Sequence, residues 1–174
     1  MIHQALLKGS LLGWTEYQTG HCNSVILISQ LGLVALEPVL SDEDFSEQLA
    51  RFAAAGVAPL TAAQRISWSQ RISEAWVNPR LIADLPLDLQ GTPFQLQVWQ
   101  ALLQIPRGQT RSYAQIAASI GKPRAIRAVG TACGANPIPF LVPCHRVLRS
   151  DGSLGGYAFG LKMKQQLLER EKAL

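Results

Sequence analysis

The sequence predicts an α+β fold, in which a small mixed α/β half precedes a mostly helical half. Three observations support this prediction. Two strand-like runs occur in the first half, helical patterns dominate the second, and a turn-rich stretch at residues 86–93 lies between them. We therefore divide the chain into an N-terminal domain at residues 1–89 and a C-terminal domain at residues 90–174. A content of 48% hydrophobic and 16% charged residues is typical of a folded globular protein.

The first half contains signals for two strands and two helices. Residues 25–28 and 33–36 are rich in β-forming side chains, and the four residues between them suit a hairpin turn. Ser41 and Thr61 each precede apolar residues at helical spacing, as helix-capping residues do. The second of these helices is expected to end before Pro79.

The second half predicts three further helices. The first begins at Thr92, which can cap it, with proline at the first helical position. Two short alanine-rich helices follow at residues 113–120 and 124–132, the second starting near Pro123, which is the helix-turn-helix pattern. Small residues dominate the second of these helices, which favours an opened minor groove over base reading in the major groove. A plain helical hairpin in the core fits the pattern equally well.

The charge of the chain is divided unequally. The net charge is +4 overall, −4 over residues 1–89 and +8 over residues 90–174. An excess of positive charge on one half is expected of a protein that binds a polyanion such as nucleic acid. A solvated basic face would carry the same charge, so charge alone does not distinguish the two interpretations.

Cysteine use and the N-terminus indicate a reducing compartment. Cys22, Cys133 and Cys144 form neither a CxxC pair nor an even disulfide set. The first residues lack the charged and apolar regions of a signal peptide, and no stretch approaches the ~18 uninterrupted apolar residues of a membrane span. We expect a cytoplasmic protein without a membrane segment.

The run Pro-Cys-His-Arg-Val at residues 143–147 places a thiol beside an imidazole and a guanidinium. Cationic neighbours lower a thiol pKa from its ordinary value of about 8.5 towards neutrality, and the thiolate is the nucleophile. Cys144 is therefore a candidate reactive cysteine. Most cysteines are buried and inert, so this run alone leaves a structural role open.

Residues 90–172 resemble the O6-alkylguanine-DNA alkyltransferases, also called methylated-DNA–protein-cysteine methyltransferases. The matching blocks stand in the order and spacing of that family. They are GTPF (91–94), VW (98–99), IPRG (105–108), SY (112–113), RAVG (127–130), NP (136–137), PCHRV (143–147), GGY (155–157) and the segment 164–171. The first half matches only in size and coarse pattern, and there the family carries a small domain of ribonuclease-H-like topology.

The resemblance implies direct-reversal DNA repair. Such a protein flips O6-alkylguanine, and O4-alkylthymine as well, out of duplex DNA and transfers the alkyl group to its own cysteine. Each molecule reacts once, because no resident group can hydrolyse the resulting thioether. The resemblance further implies no metal or organic cofactor, alkylated double-stranded DNA as the partner, contact through the minor groove, and a monomer.

The resemblance also assigns catalytic roles. Cys144 is expected to be the acceptor, His145 its general base through a water, and Glu171 the carboxylate that orients the histidine. Asn136 is expected to hydrogen-bond backbone around the cysteine turn. Tyr113 is expected to contact a phosphate and give a proton to the departing guanine.

DNA binding is assigned in the same way. Arg127 is expected to enter the base stack and fill the vacancy, while Ser112, Lys122 and Arg124, together with Tyr113, contact the backbone. The expected pocket residues are Cys133, Pro139, Tyr157, Ala158 and Phe159. Cys133 is expected to pack and not to act as a second acceptor.

Two pocket positions depart from relatives. Ala158 stands where some relatives carry a serine hydroxyl, so any contact to guanine O6 must come from backbone N–H groups of the loop around it. Phe159 stands where several relatives have glycine, which puts tolerance of large groups such as benzyl in doubt.

Other classes fit the sequence less well. Alkyltransferase-like binding proteins lack the acceptor, which Cys144 supplies. A helix-turn-helix regulator needs base-reading side chains that residues 124–134 do not provide, and a cysteine hydrolase would not need the basic helical pair. A phosphatase loop is excluded by the spacing of Arg149 after Cys144. Three cysteines cannot form the four-cysteine zinc site of the additional module found in some bacterial relatives.

Overall fold

The structure is a computed structural model that describes residues 11–18 and 22–173, apart from the side chains of residues 79 and 80. The chain divides into two compact units, with the boundary between Gln90 and Gly91. Strands and helices both occur, so the fold is mixed α and β. Among the described residues, no helix is long and apolar enough to cross a membrane.

A three-stranded antiparallel sheet lies at the centre of the first unit. Its strands, in spatial order, are β1 (Leu11–Gln18), β2 (Asn23–Ser29) and β3 (Leu33–Pro38). The hairpin between β2 and β3 is the predicted one, closed by a hydrogen bond of 2.8 Å from Ser29 N to Gly32 O. The sequence reading did not include β1. Its buried positions are Gly13, Thr15 and Tyr17, so the alternation along this strand is not an alternation of apolar residues.

Two helices and a 3₁₀ helix complete the first unit. They are α1 (Asp42–Ala54), α2 (Ala62–Val77) and the 3₁₀ segment Pro79–Asp84. Both predicted caps form, since Ser41 accepts from the backbone of the third helical residue and Thr61 makes a full capping box. Phe52 of α1 is buried against Val25 and Leu27 of β2, which joins helix and sheet in one core.

The second unit is mostly helical. Its elements are α3 (Pro93–Leu103), β4 (Arg111–Ser112), α4 (Tyr113–Ser119), α5 (Ile126–Gly134), a 3₁₀ turn at Cys144–Arg146, β5 (Val147–Leu148) and α6 (Leu161–Arg170). Thr92 caps α3 as predicted. The buried indole of Trp99 in α3 donates to Ala132 O of α5 at 2.9 Å, which fixes α5 against α3. Strands β4 and β5 pair in parallel, so the start of α4 is tied to the segment that follows the cysteine turn.

The connection between α4 and α5 differs from the prediction. Helix α5 begins at Ile126 and not at Arg124, which lies in the turn. A hydrogen bond of 2.9 Å from Ala125 N to Lys122 O closes this turn, and no side chain caps α5. Because this start depends on backbone geometry, it has no capping residue that a sequence could show.

Candidate active site

A pocket of about 480 Å³ opens in the second unit, between α4, α5, the cysteine turn and the loop before α6. Eight of the predicted site residues line this pocket. They are Tyr113, Arg127, Cys133, Asn136, Cys144, Tyr157, Ala158 and Phe159. The remaining lining residues are Ile126, Gly130, Gly134, Arg149, Gly155 and Gly156. Pro139, which was predicted to line the pocket, is not among its lining residues and is buried beside Ile138 and Phe140.

Cys144 lines this pocket and has 6% of its surface exposed. Its Sγ accepts a hydrogen bond of 3.2 Å from Asn136 Nδ2, which also donates to Val142 O at 2.7 Å. Asn136 Oδ1 accepts from Ile138 N at 3.0 Å, so the amide is held from both ends. Burial raises the pKa of the Cys144 thiol, while the Asn136 hydrogen bond and the Lys164 charge oppose that rise.

The thiol pKa therefore shifts in the opposite direction from the sequence-based expectation, which relied on the adjacent cations. The side chains of His145 and Arg146 both hydrogen-bond to Glu171. The charges of these two side chains do not lower the Cys144 pKa; the Lys164 charge does, and His145 contributes only through its backbone. Adjacency in sequence did not predict which positive charge acts on the sulfur.

His145, Arg146 and Glu171 form a buried hydrogen-bonded group. Arg146 donates to Glu171 through Nε and Nη2, both at 2.8 Å, and through Nη1 to Ile105 O. His145 Nε2 lies 3.2 Å from Glu171 Oε1, and no partner is found for its Nδ1 in the part of the chain that the structure describes. Burial alone would raise the pKa of Glu171, but the hydrogen bonds from His145 and Arg146 outweigh it and lower the pKa to about 2.

The tautomer of His145 follows from this arrangement. Burial lowers its pKa, so the ring is neutral near pH 7. An ionised carboxylate can only accept hydrogen bonds, so Nε2 carries the proton and donates it to Glu171. The lone pair is then on Nδ1, which can accept a proton.

Lys164 is a fully buried lysine on α6 that the sequence reading did not single out as a site residue. Its ammonium donates to Val147 O at 2.6 Å and to Leu154 O. It also lies 5.9 Å from the centre of the Tyr113 ring. Burial lowers its pKa to about 8, so it stays mostly charged at neutral pH and supplies a positive potential near the two pocket cysteines.

Tyr113 begins α4 and presents its ring to the pocket. Its hydroxyl donates to Gly156 O at 3.4 Å. Burial, together with the neighbouring Cys133 and Cys144, raises its pKa to about 12. The phenol therefore keeps its proton at neutral pH and remains available as a donor.

The residues predicted to contact DNA lie on α4, α5 and the turn between them. Arg127 is exposed on α5 and, like Tyr113, also lines the pocket. Ser112 caps α4, its Oγ accepting from Gln115 N at 3.1 Å. Lys122 and Arg124 are exposed in the turn, and the Lys122 ammonium lies 5.1 Å from the Phe94 ring centre.

One wall of the pocket is aromatic. The Tyr157 and Phe159 rings meet edge to face at 5.6 Å, and Phe159 lies 6.4 Å from Phe140. Cys133 faces the same space with 8% exposure, and burial raises its pKa to about 12. Cys133 is thus a protonated, weakly nucleophilic thiol. Among the described residues, no group of three or more His, Cys, Asp or Glu side chains is placed to hold a metal ion.

Comparison with known proteins identifies the family. The model of the 6-O-methylguanine DNA methyltransferase DNA-binding domain matches residues 93–173. A crystal structure of Mycobacterium tuberculosis OGT in complex with DNA superposes with a TM-score of 0.72 and 34% identity, over 92% of this chain and 93% of that one. The chain belongs to the O6-methylguanine-DNA methyltransferase family.

Two further relatives match this chain over only part of their own length. The regulatory protein Ada of Salmonella typhimurium is 46% identical over 161 residues, which is 90% of this chain and 44% of that protein. The methylated-DNA–protein-cysteine methyltransferase of Methanosarcina barkeri is 55% identical over 100 residues, 57% of this chain and 63% of that protein. The chain thus spans less than two thirds of the length of either relative.

The contacts of three charged residues in and beside this pocket are not predicted by the sequence. Arg146 lies within the recognised motif, but its ion pair with a residue on another element carries no local signal. Lys164 stands among polar residues of a helix and looks like part of a solvated face. The position of Arg149 in the sequence argues against a phosphatase loop and predicts no role in the pocket.

Proposed function

We propose that this protein repairs alkylated DNA by direct reversal. It takes O6-alkylguanine, and the smaller O4-alkylthymine, from duplex DNA into the pocket and transfers the alkyl group to Cys144. One observation carries the proposal, namely that Cys144 lines one pocket together with Tyr113 and Arg127. The product is a thioether, so each molecule reacts once.

The transfer is a single displacement. The Cys144 thiol loses its proton through a water to His145 Nδ1, and the sulfur attacks the alkyl carbon. The bond from that carbon to guanine O6 breaks, its electron pair stays on the guanine, and Tyr113 gives the guanine a proton. The His145 imidazolium then returns its proton through solvent to the Tyr113 phenolate, so thiol and alkylguanine have become thioether and guanine and both side chains are neutral again.

The electrostatics of the site favour loss of the Cys144 proton only when substrate fills the pocket. With the thiol pKa raised and the His145 pKa lowered, the resting site holds a neutral pair. A substrate that fills the pocket excludes bulk water and strengthens the influence of the nearby Lys164 ammonium on a developing thiolate. The Glu171 carboxylate in turn stabilises the imidazolium that forms.

Helices α4 and α5 form the proposed helix-turn-helix that approaches the minor groove. Small residues dominate α5, so the helix can come close to an opened groove, and Arg127 replaces the extruded base in the stack. Ser112, Lys122 and Arg124 contact the phosphate backbone without reading sequence. We further propose a ribonuclease-H-like first domain and action as a cytoplasmic monomer, which fits three cysteines that form no disulfide.

The test is intact-protein mass after mixing with a duplex that contains one O6-methylguanine. A gain of one methylene equivalent, limited to one per molecule and missing from Cys144→Ser, is expected. Cys133→Ser should gain the same mass as the unchanged protein. Tight lesion binding without a change in mass would instead indicate an alkyltransferase-like binding protein.

A further inference from the structure

In the part of the chain that the structure describes, two charged side chains line the pocket, Arg127 and Arg149, and neither is acidic. Arg127 has a proposed place in the base stack. Arg149 has none in the mechanism above, although it lines the same pocket. Its position relative to Tyr113 indicates what it binds.

Arg149 and Tyr113 converge beside Gly155. A Cβ atom added to Gly155 would lie 3.1 Å from the Tyr113 hydroxyl, 3.0 Å from Tyr113 Cε2 and 3.5 Å from Arg149 Cγ. The phenol and the arginine stem therefore lie at one side of the pocket. Arg149 is exposed, so its guanidinium is accessible to a ligand.

The backbone of Arg149 is held in place while its guanidinium is not engaged. Arg149 directly follows β5, its N–H donates to Ser153 O at 2.9 Å, and its carbonyl accepts from Gly152 N at 3.0 Å. The nearby Asp151 carboxylate accepts from Ser153 N instead. Among the described residues, no group accepts a hydrogen bond or forms an ion pair with the guanidinium.

A flipped nucleotide brings its own anions to this place. Once the base fills the pocket, its sugar and flanking phosphates stay at the opening, because the strand continues on both sides. Arginine is the side chain best suited to a phosphate, since its planar fork can donate two parallel hydrogen bonds. Lys164, the other cation close to Tyr113, is fully buried and occupied by two carbonyls.

We propose that Arg149 binds a backbone phosphate of the extrahelical nucleotide, on the side of the pocket where its stem and Tyr113 approach Gly155. This inference rests on the proposed function, because it assumes a base in the pocket. Arg149 is a substrate-binding residue in this role and takes no part in the displacement. Arg149 should therefore increase the rate of methyl transfer only when the substrate carries that phosphate.

The test compares substrates with and without that phosphate. Single-turnover transfer from the methylated duplex is expected to slow roughly tenfold in Arg149→Gln, the effect of one charge-assisted hydrogen bond at an exposed position. Arg149→Lys should lie in between. Reaction with free O6-methylguanine base, which has no phosphate, should proceed at the same rate in all three proteins.

A neutral phosphate analogue locates the contact. A methylphosphonate placed at one of the two phosphates flanking the lesion should slow the unchanged protein and abolish the difference from Arg149→Gln. Lys162→Gln, which removes a positive charge from the exposed start of α6 outside the pocket, should react at the original rate with every duplex.

Several results would overturn the proposal. One is a transfer rate from the methylated duplex that is unchanged in Arg149→Gln, and another is an equal loss of rate with the free base. The others are a loss of rate in Lys162→Gln as large as that in Arg149→Gln, or a difference between Arg149→Gln and the unchanged protein that persists with a methylphosphonate at either flanking phosphate. Affinities for the same duplexes, measured by fluorescence anisotropy on the Cys144→Ser background, test the phosphate contact without transfer. Failure of the proposed function would be seen separately, as no methyl transfer by the unchanged protein.

Discussion

At the scale of single residues, the shared carboxylate of Glu171 decides how the site works. Its two oxygens hold both the tautomer of His145 and the guanidinium of Arg146. In Glu171→Gln the uncharged amide cannot stabilise an imidazolium, so we expect methyl transfer to slow at least ~100-fold. Single-turnover kinetics checks this. Glu169→Gln, an exposed acid on the same helix, is the control and should keep the original rate.

The same residue predicts an acid-dependent loss of stability. The pKa of Glu171 is about 2 in the folded protein against an ordinary value of 4.5. Its contribution to stability is therefore complete above pH 4.5 and is lost as the pH falls towards 2. Urea unfolding at neutral pH should show Glu171→Gln destabilised by about 3 kcal/mol, since Arg146 is left buried with half its partners. The gap between the two proteins should narrow at pH 3, and a constant gap would contradict the assignment.

The residues of the site differ in how far the sequence could predict them. The thiol and imidazole are adjacent, so Cys144 and His145 are visible in a local motif. Glu171 is assigned only through a family resemblance, because its hydrogen bonds join residues far apart in the chain. Lys164 could not be predicted at all, since a lysine on a polar helix gives no sign that the fold will bury it against two carbonyls.

At the scale of elements, the loop between β5 and α6 sets the position of Tyr113. Gly152 and Gly155 both adopt positive φ, at +83° and +65°. A Cβ at Gly155 would approach the Tyr113 ring to 3.0 Å, whereas one at Gly152 meets nothing within 4 Å.

The two glycines therefore form a matched pair of variants. Gly152→Ala and Gly155→Ala should each cost about 1 kcal/mol of unfolding free energy for the backbone conformation. Only Gly155→Ala should also slow methyl transfer, by pushing the phenol from its place. Equal transfer rates in the two variants would show that the position of Tyr113 does not depend on this loop.

Elements with local signals were predicted well, and those without them were not. The β2–β3 hairpin and the helices starting after Ser41, Thr61 and Thr92 have capping residues or strong β-forming runs that act within a few residues. Strand β1 has small and polar buried positions. The start of α5 is set by a backbone turn. Neither β1 nor the start of α5 therefore has a local sequence pattern that predicts it.

At the scale of the whole molecule, the unequal division of charge predicts which unit binds DNA. The +8 of residues 90–174 coincides with the unit that holds the pocket, while residues 1–89 carry −4. Such a protein should bind undamaged duplex through phosphate contacts made by the second unit alone, with an affinity that falls linearly on logarithmic axes as salt rises.

This division predicts which arginine controls the salt dependence. Each phosphate contact contributes about 0.9 to the slope of log affinity against log salt on duplex DNA. Arg124→Ala, at an exposed position in the turn before α5, should reduce the slope by about that amount, because this side chain is proposed to contact the phosphate backbone with or without a lesion. Arg65→Ala, an exposed position on α2 of the first unit, should leave the slope unchanged. Fluorescence anisotropy over a salt series measures both, and an equal reduction in the two variants would mean that the first unit also contacts DNA.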